Sequence, residues 1–204
     1  MRLLLVRHGD SEHARRGLIA DVAGCPGLTA DGAAQAQRLA ERLGRTGEAA
    51  GAVLLSSPVL RARQTAAILA PGLRATVEAK GDLRELIPGV ADGLSWDQYR
   101  AVHGQFDALA QPDRPFSPGG ESWNAFLARV KATMLDLAAS DDDRTVVAVT
   151  HAGFIVAAML VMFDIPRPGN ETFLDPANTG VTEWDCTAGR WRLTRYNDTA
   201  HLAG

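Results

Sequence analysis

The sequence predicts an α/β fold, a three-layer α/β/α sandwich around a mostly parallel central sheet, and three observations predict it. Apolar runs at 2–6, 52–55 and 145–150 have the length of buried strands. Each is followed by a segment with helical character, and strands that alternate with helices build parallel sheets. The first and last runs stop at Arg7-His8-Gly9 and Thr150-His151-Ala152-Gly153. An open α/β sheet binds its ligands beyond such carboxyl ends.

The elements follow in order. Residues 2–6 read as a buried strand, and 10–28, with Gly17, Gly24, Pro26 and Gly27, as a long loop. Thr29 is an N-cap for a helix over about 30–44, with Leu39 and Leu43 on one face and Gly44 as its stop. After the strand at 52–55, Ser57-Pro58 caps and opens a helix to about residue 70. A short strand near 75–78 lies in a glycine- and proline-rich stretch, and Ser95 caps a helix over 96–103. Residues 104–120 are rich in proline and glycine. With the loop before them, about 86–120 form an insertion over the site of a single domain, 1–204. A helix over 121–139 carries Phe126, Val130, Met134 and Leu137 at helical spacing. Asp141-Asp142-Asp143 reads as a solvated turn, with an acidic metal site as the alternative. The strand at 145–150 precedes a very apolar helix over 154–163, and strands at 180–185 and 190–195 close the chain.

Composition narrows the class. The chain has 204 residues, 46% of them hydrophobic and 22% charged, as in ordinary globular domains. A net charge of −3 argues against nucleic acid as a partner. Cys25 and Cys186 are too few for a disulfide framework or a metal cluster, so a reducing compartment is expected. The first apolar run is too short for a secretory leader, and no run approaches the ~20 residues of a membrane span. A cytoplasmic enzyme or binding domain is the expectation, with no membrane partner and with a homodimer left open.

If the strands are parallel, Arg7, His8 and His151 share one sheet edge with Ser56-Ser57-Pro58, and Arg61 sits in the helix that follows. Two arginines and two histidines near a helix N-terminus make an anion site, and phosphate is its natural occupant. Each residue alone has a plainer reading. Arg61 could pair with a surface carboxylate, and His151 could be a satisfied core histidine. Their joint placement favours the anion site.

These segments carry a resemblance. Leu5-Val6-Arg7-His8-Gly9-Asp10-Ser11, Gly27-Leu28-Thr29, Ser56-Ser57-Pro58 with Arg61 through Thr65, Leu83-Arg84-Glu85, Gly119-Gly120-Glu121-Ser122 with Arg129, and Val149 through Gly153 appear in one order. With Asn178 through Thr182 and the closing Asn197 through Leu202, they resemble the histidine phosphatase superfamily, which includes cofactor-dependent phosphoglycerate mutases and many small phosphatases. The resemblance implies a phosphoglycerate mutase-like fold and a phosphohistidine on His8. It implies that Arg7, Arg61, a charged His151 and the Ala152 backbone N–H cradle the phosphoryl oxygens. Glu85 would donate the leaving-group proton, with Asp10 and Asp92 next in line. No metal and no cofactor is implied. A surface carboxylate is the plainer reading of Glu85 without the resemblance.

Departures bear on specificity. Ala14 stands where many members carry asparagine, Asp10 where Glu or Gln is common, and Ala152 where glycine is usual. The segment Ile87 through Gly93 is altered. A mutase would need an arginine-rich insertion before the Gly-Glu-Ser segment, whereas Arg100 and Arg114 are isolated there. The expected function is phosphate monoester hydrolysis of the histidine acid phosphatase type, acting on a phosphorylated small molecule. The alternatives are a phosphoglycerate-type mutase, a non-catalytic phospho-ligand-binding relative and a zinc hydrolase using His8 and His151.

Overall fold

The computed structural model describes residues 1–139, 143–165 and 174–203. Its centre is a six-stranded sheet of β1 (Arg2–Arg7), β2 (Val53–Ser56), β3 (Val77–Ala79), β4 (Thr145–Thr150), β5 (Val181–Thr187) and β6 (Arg190–Asp198). The order is β3-β2-β4-β1-β5-β6. The first four run parallel, and β5 and β6 are antiparallel. Antiparallel strands need only a tight turn between them, and here Ala188 and Gly189, both at positive φ, provide it. The expected mostly parallel sheet is therefore observed.

Period-two alternation sends β1 into two cores. Leu3 and Leu5 pack with Val146 and Ala148 against α5 (Trp123–Ala138) and α6 (Ala152–Met162). Leu4 and Val6 pack with Val147 and Val149 against α2 (Ala30–Thr46) and α3 (Leu60–Leu73). Strands buried on both faces read as continuous apolar runs, which is why these runs were visible in the sequence. Two short helices complete the chain, α1 (Glu12–Arg15) and α4 (Trp96–His103).

Three local expectations need correction. The loop expected over 10–28 contains α1 and is tied across its base by an isolated Ser11–Leu28 bridge. Thr29 caps α2 as expected, its hydroxyl accepting from the Gly32 N–H, but Gly44 does not end the helix. Gly47 does, at φ 66°. Gly44 instead faces Gly72, whose missing Cβ lets α3 approach the Ala40 carbonyl of α2. Ser57-Pro58 does not cap α3, which starts at Leu60 after Val59. The Ser57 N–H donates to the Val149 carbonyl, so the chain stays extended past β2. Asp141 and Asp142 lie outside the described residues, and with them the call made on that acidic turn. No helix among the described residues is long and apolar enough to cross a membrane.

Sheet register positions the site. Arg7 pairs with Thr150, and Ser56 with Val149, so three strands end side by side. The turn after β1 then packs on the start of α2. A Cβ on Gly9 would lie 2.4 Å from the Gly32 carbonyl oxygen, and one on Gly32 would lie 1.9 Å from that of Asp10. Both are backbone contacts, which cannot be relieved by a rotamer change. Gly32→Ala is therefore expected to destabilise the fold by at least the ~1–3 kcal/mol typical of overpacking. Gly44→Ala, with 3.6 Å to its nearest neighbour, is expected to cost much less. Urea denaturation of both variants measures the difference, and equal midpoints would contradict the packing.

Candidate active site

His8, Arg61 and His151 meet beyond the strand ends and are 4%, 3% and 1% exposed. Arg61 reaches them from the first turn of α3. Its Nε donates to His8 Nε2 at 3.0 Å, and its Nη2 lies 3.1 Å from His151 Nδ1. A guanidinium has only donors, so both imidazole nitrogens facing it must be unprotonated. The opposite nitrogens then carry the protons. His8 Nδ1–H donates to the Gly9 carbonyl at 2.7 Å, and His151 Nε2–H donates to Ser57 Oγ at 2.8 Å. The arrangement fixes both tautomers and leaves His8 Nε2 unprotonated, its lone pair accepting from the Arg61 Nε–H.

The electrostatics agree. Burial, then the Arg61 charge, push His8 well below the usual histidine value, and the Gly9 carbonyl only partly opposes them. Burial, Arg61 and His8 do the same to His151. His151 is thus neutral beside Arg61. Arg61 Nη1 donates to the Ala20 carbonyl and the Cys25 sulfur, which leaves one Nη2–H without an acceptor among the described residues. It forms no ion pair among the described residues, although a buried cation without a counter-charge is costly. The Arg7 guanidinium donates to the Pro176 carbonyl and, at 3.4 Å, to Asp175. Its buried Nε has no partner among the described residues. The Ala152 N–H opens α6, where helical N–H groups lack intrahelical acceptors. Two cations and a helix N-terminus thus surround an imidazole lone pair. Because both imidazole lone pairs accept from one cation, a zinc ion bound by His8 and His151 is disfavoured by its own ligand set.

Glu85 stands beside them. Its Oε2 accepts from the Gly153 N–H at 2.8 Å and its Oε1 from the Leu86 N–H at 3.1 Å. A Cβ on Gly153 would lie 2.3 Å from that carboxylate, so a side chain at this position would push the Glu85 carboxylate out of its place. The segment holding Glu85 is clamped twice. Thr150 Oγ1 donates to the Leu83 carbonyl at 2.7 Å. Arg129, paired with Glu121 at 2.7 and 2.8 Å, donates to the carbonyls of Asp82, Arg84 and Glu85. The fallback carboxylates are occupied elsewhere. Against the cost of burial, hydrogen bonds from Thr29 and Arg15 hold the Asp10 carboxyl below its ordinary value. Asp92 accepts from the N–H groups of Asp21, Ala23 and Gly24.

The sequence reading singled out His8, Arg7, Arg61, Glu85, His151 and Ala152, and the structure brings His8, Arg61 and His151 into direct contact. It missed three participants. Ser57 fixes the His151 tautomer, and its only sequence signal was a position at a strand end. Arg129 places the Glu85 backbone, eight residues after its partner Glu121. His13 lies with its ring 6.1 Å from that of His8, and its Nδ1 is 2.8 Å from Ser11 Oγ.

The sequence profile of the histidine phosphatase superfamily, branch 1, matches residues 3–199. A bifunctional protein of Mycobacterium tuberculosis is 32% identical over 151 residues, covering 74% of this chain and 41% of that protein. The chain thus spans about two fifths of that relative's length. A metal-independent phosphoserine phosphatase of Arabidopsis thaliana is 27% identical, covering 98% of this chain and 83% of its own. Among solved structures, YhfR of Bacillus stearothermophilus superposes with a TM-score of 0.84 at 25% identity, over 98% of both chains.

The depressed histidines make stability depend on pH. Unfolded histidines take up protons near pH 6.5, whereas His8 and His151 stay neutral in the fold. The unfolded state binds more protons below that pH, so stability falls as pH drops from 7 toward 5. Each of the two contributes a slope approaching ~1.4 kcal/mol per pH unit. Urea unfolding across this range should show the decline, and His8→Asn and His151→Asn should each flatten it by about one proton.

Proposed function

The chain belongs to the histidine phosphatase superfamily, branch 1, and from that premise we propose that it hydrolyses phosphate monoesters of small molecules through a phosphohistidine on His8. The observation that carries this reading is the pinned tautomer of His8. Its Nδ1–H is committed to the Gly9 carbonyl, so Nε2 presents a lone pair beside two cations. The Arabidopsis relative, named for phosphoserine hydrolysis without metal, supports the reaction class.

The chemistry follows from the geometry. The Arg61 Nε–H turns from His8 Nε2 to a phosphoryl oxygen, the freed lone pair attacks phosphorus as the ester oxygen leaves, and the new N–P bond places positive charge on the ring. The Gly9 carbonyl accepting from Nδ1–H stabilises that charge. Arg7 Nε, Arg61 and the Ala152 N–H meet the equatorial oxygens, where charge accumulates in phosphoryl transfer. A phosphoryl dianion beside His151 favours its second proton and so adds a further donor. Each Glu85 oxygen accepts one N–H and keeps a second lone pair. Protonated there, Glu85 gives its proton to the departing alkoxide. As a carboxylate, it then takes one from the water that attacks phospho-His8. Phosphate leaves, and both groups return to their starting states.

The insertion favours hydrolysis over phosphoryl transfer between substrate positions. Arg100 pairs with Asp97, and Arg114 donates to the carbonyls of His103 and Gln105. Neither presents charge for a bisphosphorylated intermediate.

Three expected outcomes test the reading. Rapid acid-free quenching after mixing with substrate should trap a base-stable, acid-labile phosphoryl group on His8, and His8→Ala should abolish turnover while remaining folded; label on serine or cysteine would sink the mechanism. Glu85→Gln should slow alkyl phosphates by roughly 10²–10⁴-fold and p-nitrophenyl phosphate less, because that leaving group needs little protonation. Equal losses would reduce Glu85 to positioning. With 3-phosphoglycerate and 2,3-bisphosphoglycerate, phosphate release without interconversion is expected, and fast interconversion would establish the mutase instead.

A further inference from the structure

A cavity of about 440 Å³ adjoins Arg61 and Glu85, a size suited to a small-molecule group. Leu18, Leu86, Trp96, Phe106, Phe116 and Trp123 form much of its wall. Ala14, with its small apolar side chain, also lines it. The aromatic side of the wall is built. Phe116 stacks on Tyr99 with ring centroids 4.4 Å apart, and the Tyr99 hydroxyl donates to the Phe116 carbonyl at 2.6 Å. Trp96 and Phe106 meet Phe116 at 5.9 Å and 4.9 Å. Trp96 nevertheless remains 44% exposed, a large apolar surface left on the wall of a site.

The charge around the cavity is equally specific. Arg61 and Glu85 are its only charged lining residues among those described, and both are assigned to the phosphoryl group and its leaving oxygen. His13 also lines it, but burial and then Arg61 lower its pKa to about 4, so it is neutral at physiological pH. Most arginines of neighbouring segments are committed, and Arg16, between the lining residues Ala14 and Gly17, is exposed and is not itself part of the wall. Arg84 pairs with Asp21, Arg129 with Glu121, Arg15 with Asp10 and Asp31, and Arg100 and Arg114 serve their own segment. A substrate carboxylate, ammonium or second phosphate would find no counter-charge in the wall beyond Arg61 and Glu85, which the phosphoryl group and the leaving oxygen engage, and would lose its hydration.

We propose that the organic part of the substrate is an uncharged apolar group, best an aryl or arylalkyl one, and that the enzyme selects phosphate monoesters of such alcohols over those of hydroxy acids. The proposal rests on the hydrolase reading above and names the substrate class of the same site.

The test separates the two claims. Calorimetric binding of 3-phenylpropylphosphonate and of 2-amino-4-phosphonobutyrate, a phosphoserine isostere, reads the cavity without turnover. Turnover of 2-phenylethyl phosphate against phosphoserine and 3-phosphoglycerate compares alcohols that are all poor leaving groups. The arylalkyl compounds should bind, and react in kcat/KM, at least about tenfold better, as burial of a phenyl ring allows. Trp96→Ala, at a half-exposed position, should shrink that ratio several-fold. Equal or tighter binding of the aminophosphonate, or an unchanged ratio in Trp96→Ala, would overturn the assignment. Preferential binding of the arylalkyl phosphonate with no ester hydrolysed and His8 unlabelled would uphold the cavity's chemistry and defeat the hydrolase reading alone.

Discussion

The site depends on one buried guanidinium. Arg61 has five N–H donors and no acceptor, so whatever it touches must present lone pairs. It touches His8 Nε2 and His151 Nδ1. That contact decides both tautomers, keeps both rings neutral against the pull of any nearby carboxylate, and leaves a positive charge with no carboxylate partner among the described residues. Other histidine arrangements would leave the lone pair of His8 ambiguous. Here it is determined by a cation that cannot lose its proton.

The same constraint explains how much of the backbone is devoted to holding three side chains. Arg61 reaches His8 from a helix that starts only after a non-helical Ser57-Pro58-Val59 link, and the Ser57 hydroxyl in that link meets His151. His8 stays in place because its N–H donates to the Thr150 carbonyl, its own carbonyl accepts from Asn178, and the Gly9 N–H donates to Thr65, whose hydroxyl in turn holds the Arg61 carbonyl. The contacts come from β1, β4, α3 and the segment before β5. Preorganisation at this level is what allows fixed dipoles to stabilise a transferring phosphoryl group without reorganising.

What could be read from the sequence follows from the range of the interactions. Strands buried on both faces announce themselves as apolar runs, so the sheet and the positions of Arg7, His8 and His151 at its edge were legible. Caps are local, and Thr29 and Ser95 were read correctly. Gly44 and Gly47 were not separable, because a glycine that permits close helix packing and one that adopts a left-handed turn look alike in the chain. Glu85 had no local signal at all. Its place is set by Thr150 and Arg129, 65 and 44 residues away, and only the resemblance to a family pointed to it. Ser57 and His13 were missed for the same reason, since a tautomer-fixing hydroxyl acts through space rather than along the sequence.

The molecule divides its two tasks between two kinds of structure. The charged end is assembled from strand termini, where parallel register makes the separation of Arg7, Thr150 and Ser56 nearly invariant. The apolar end is assembled from α4 and the loops around it, whose aromatic residues pack on one another as a separate small core with Ile19, Ala91, Tyr99 and Phe116 buried. The two ends meet at Glu85, and the residue after it, Leu86, packs against both the main core and the small one. A change in the insertion can therefore alter what the cavity accepts without moving the imidazoles. A change at Arg129 or Thr150 would move Glu85 relative to both. The clamp on residues 82–87 is thus the joint through which the organic group of a substrate is aligned with the groups that act on its phosphate.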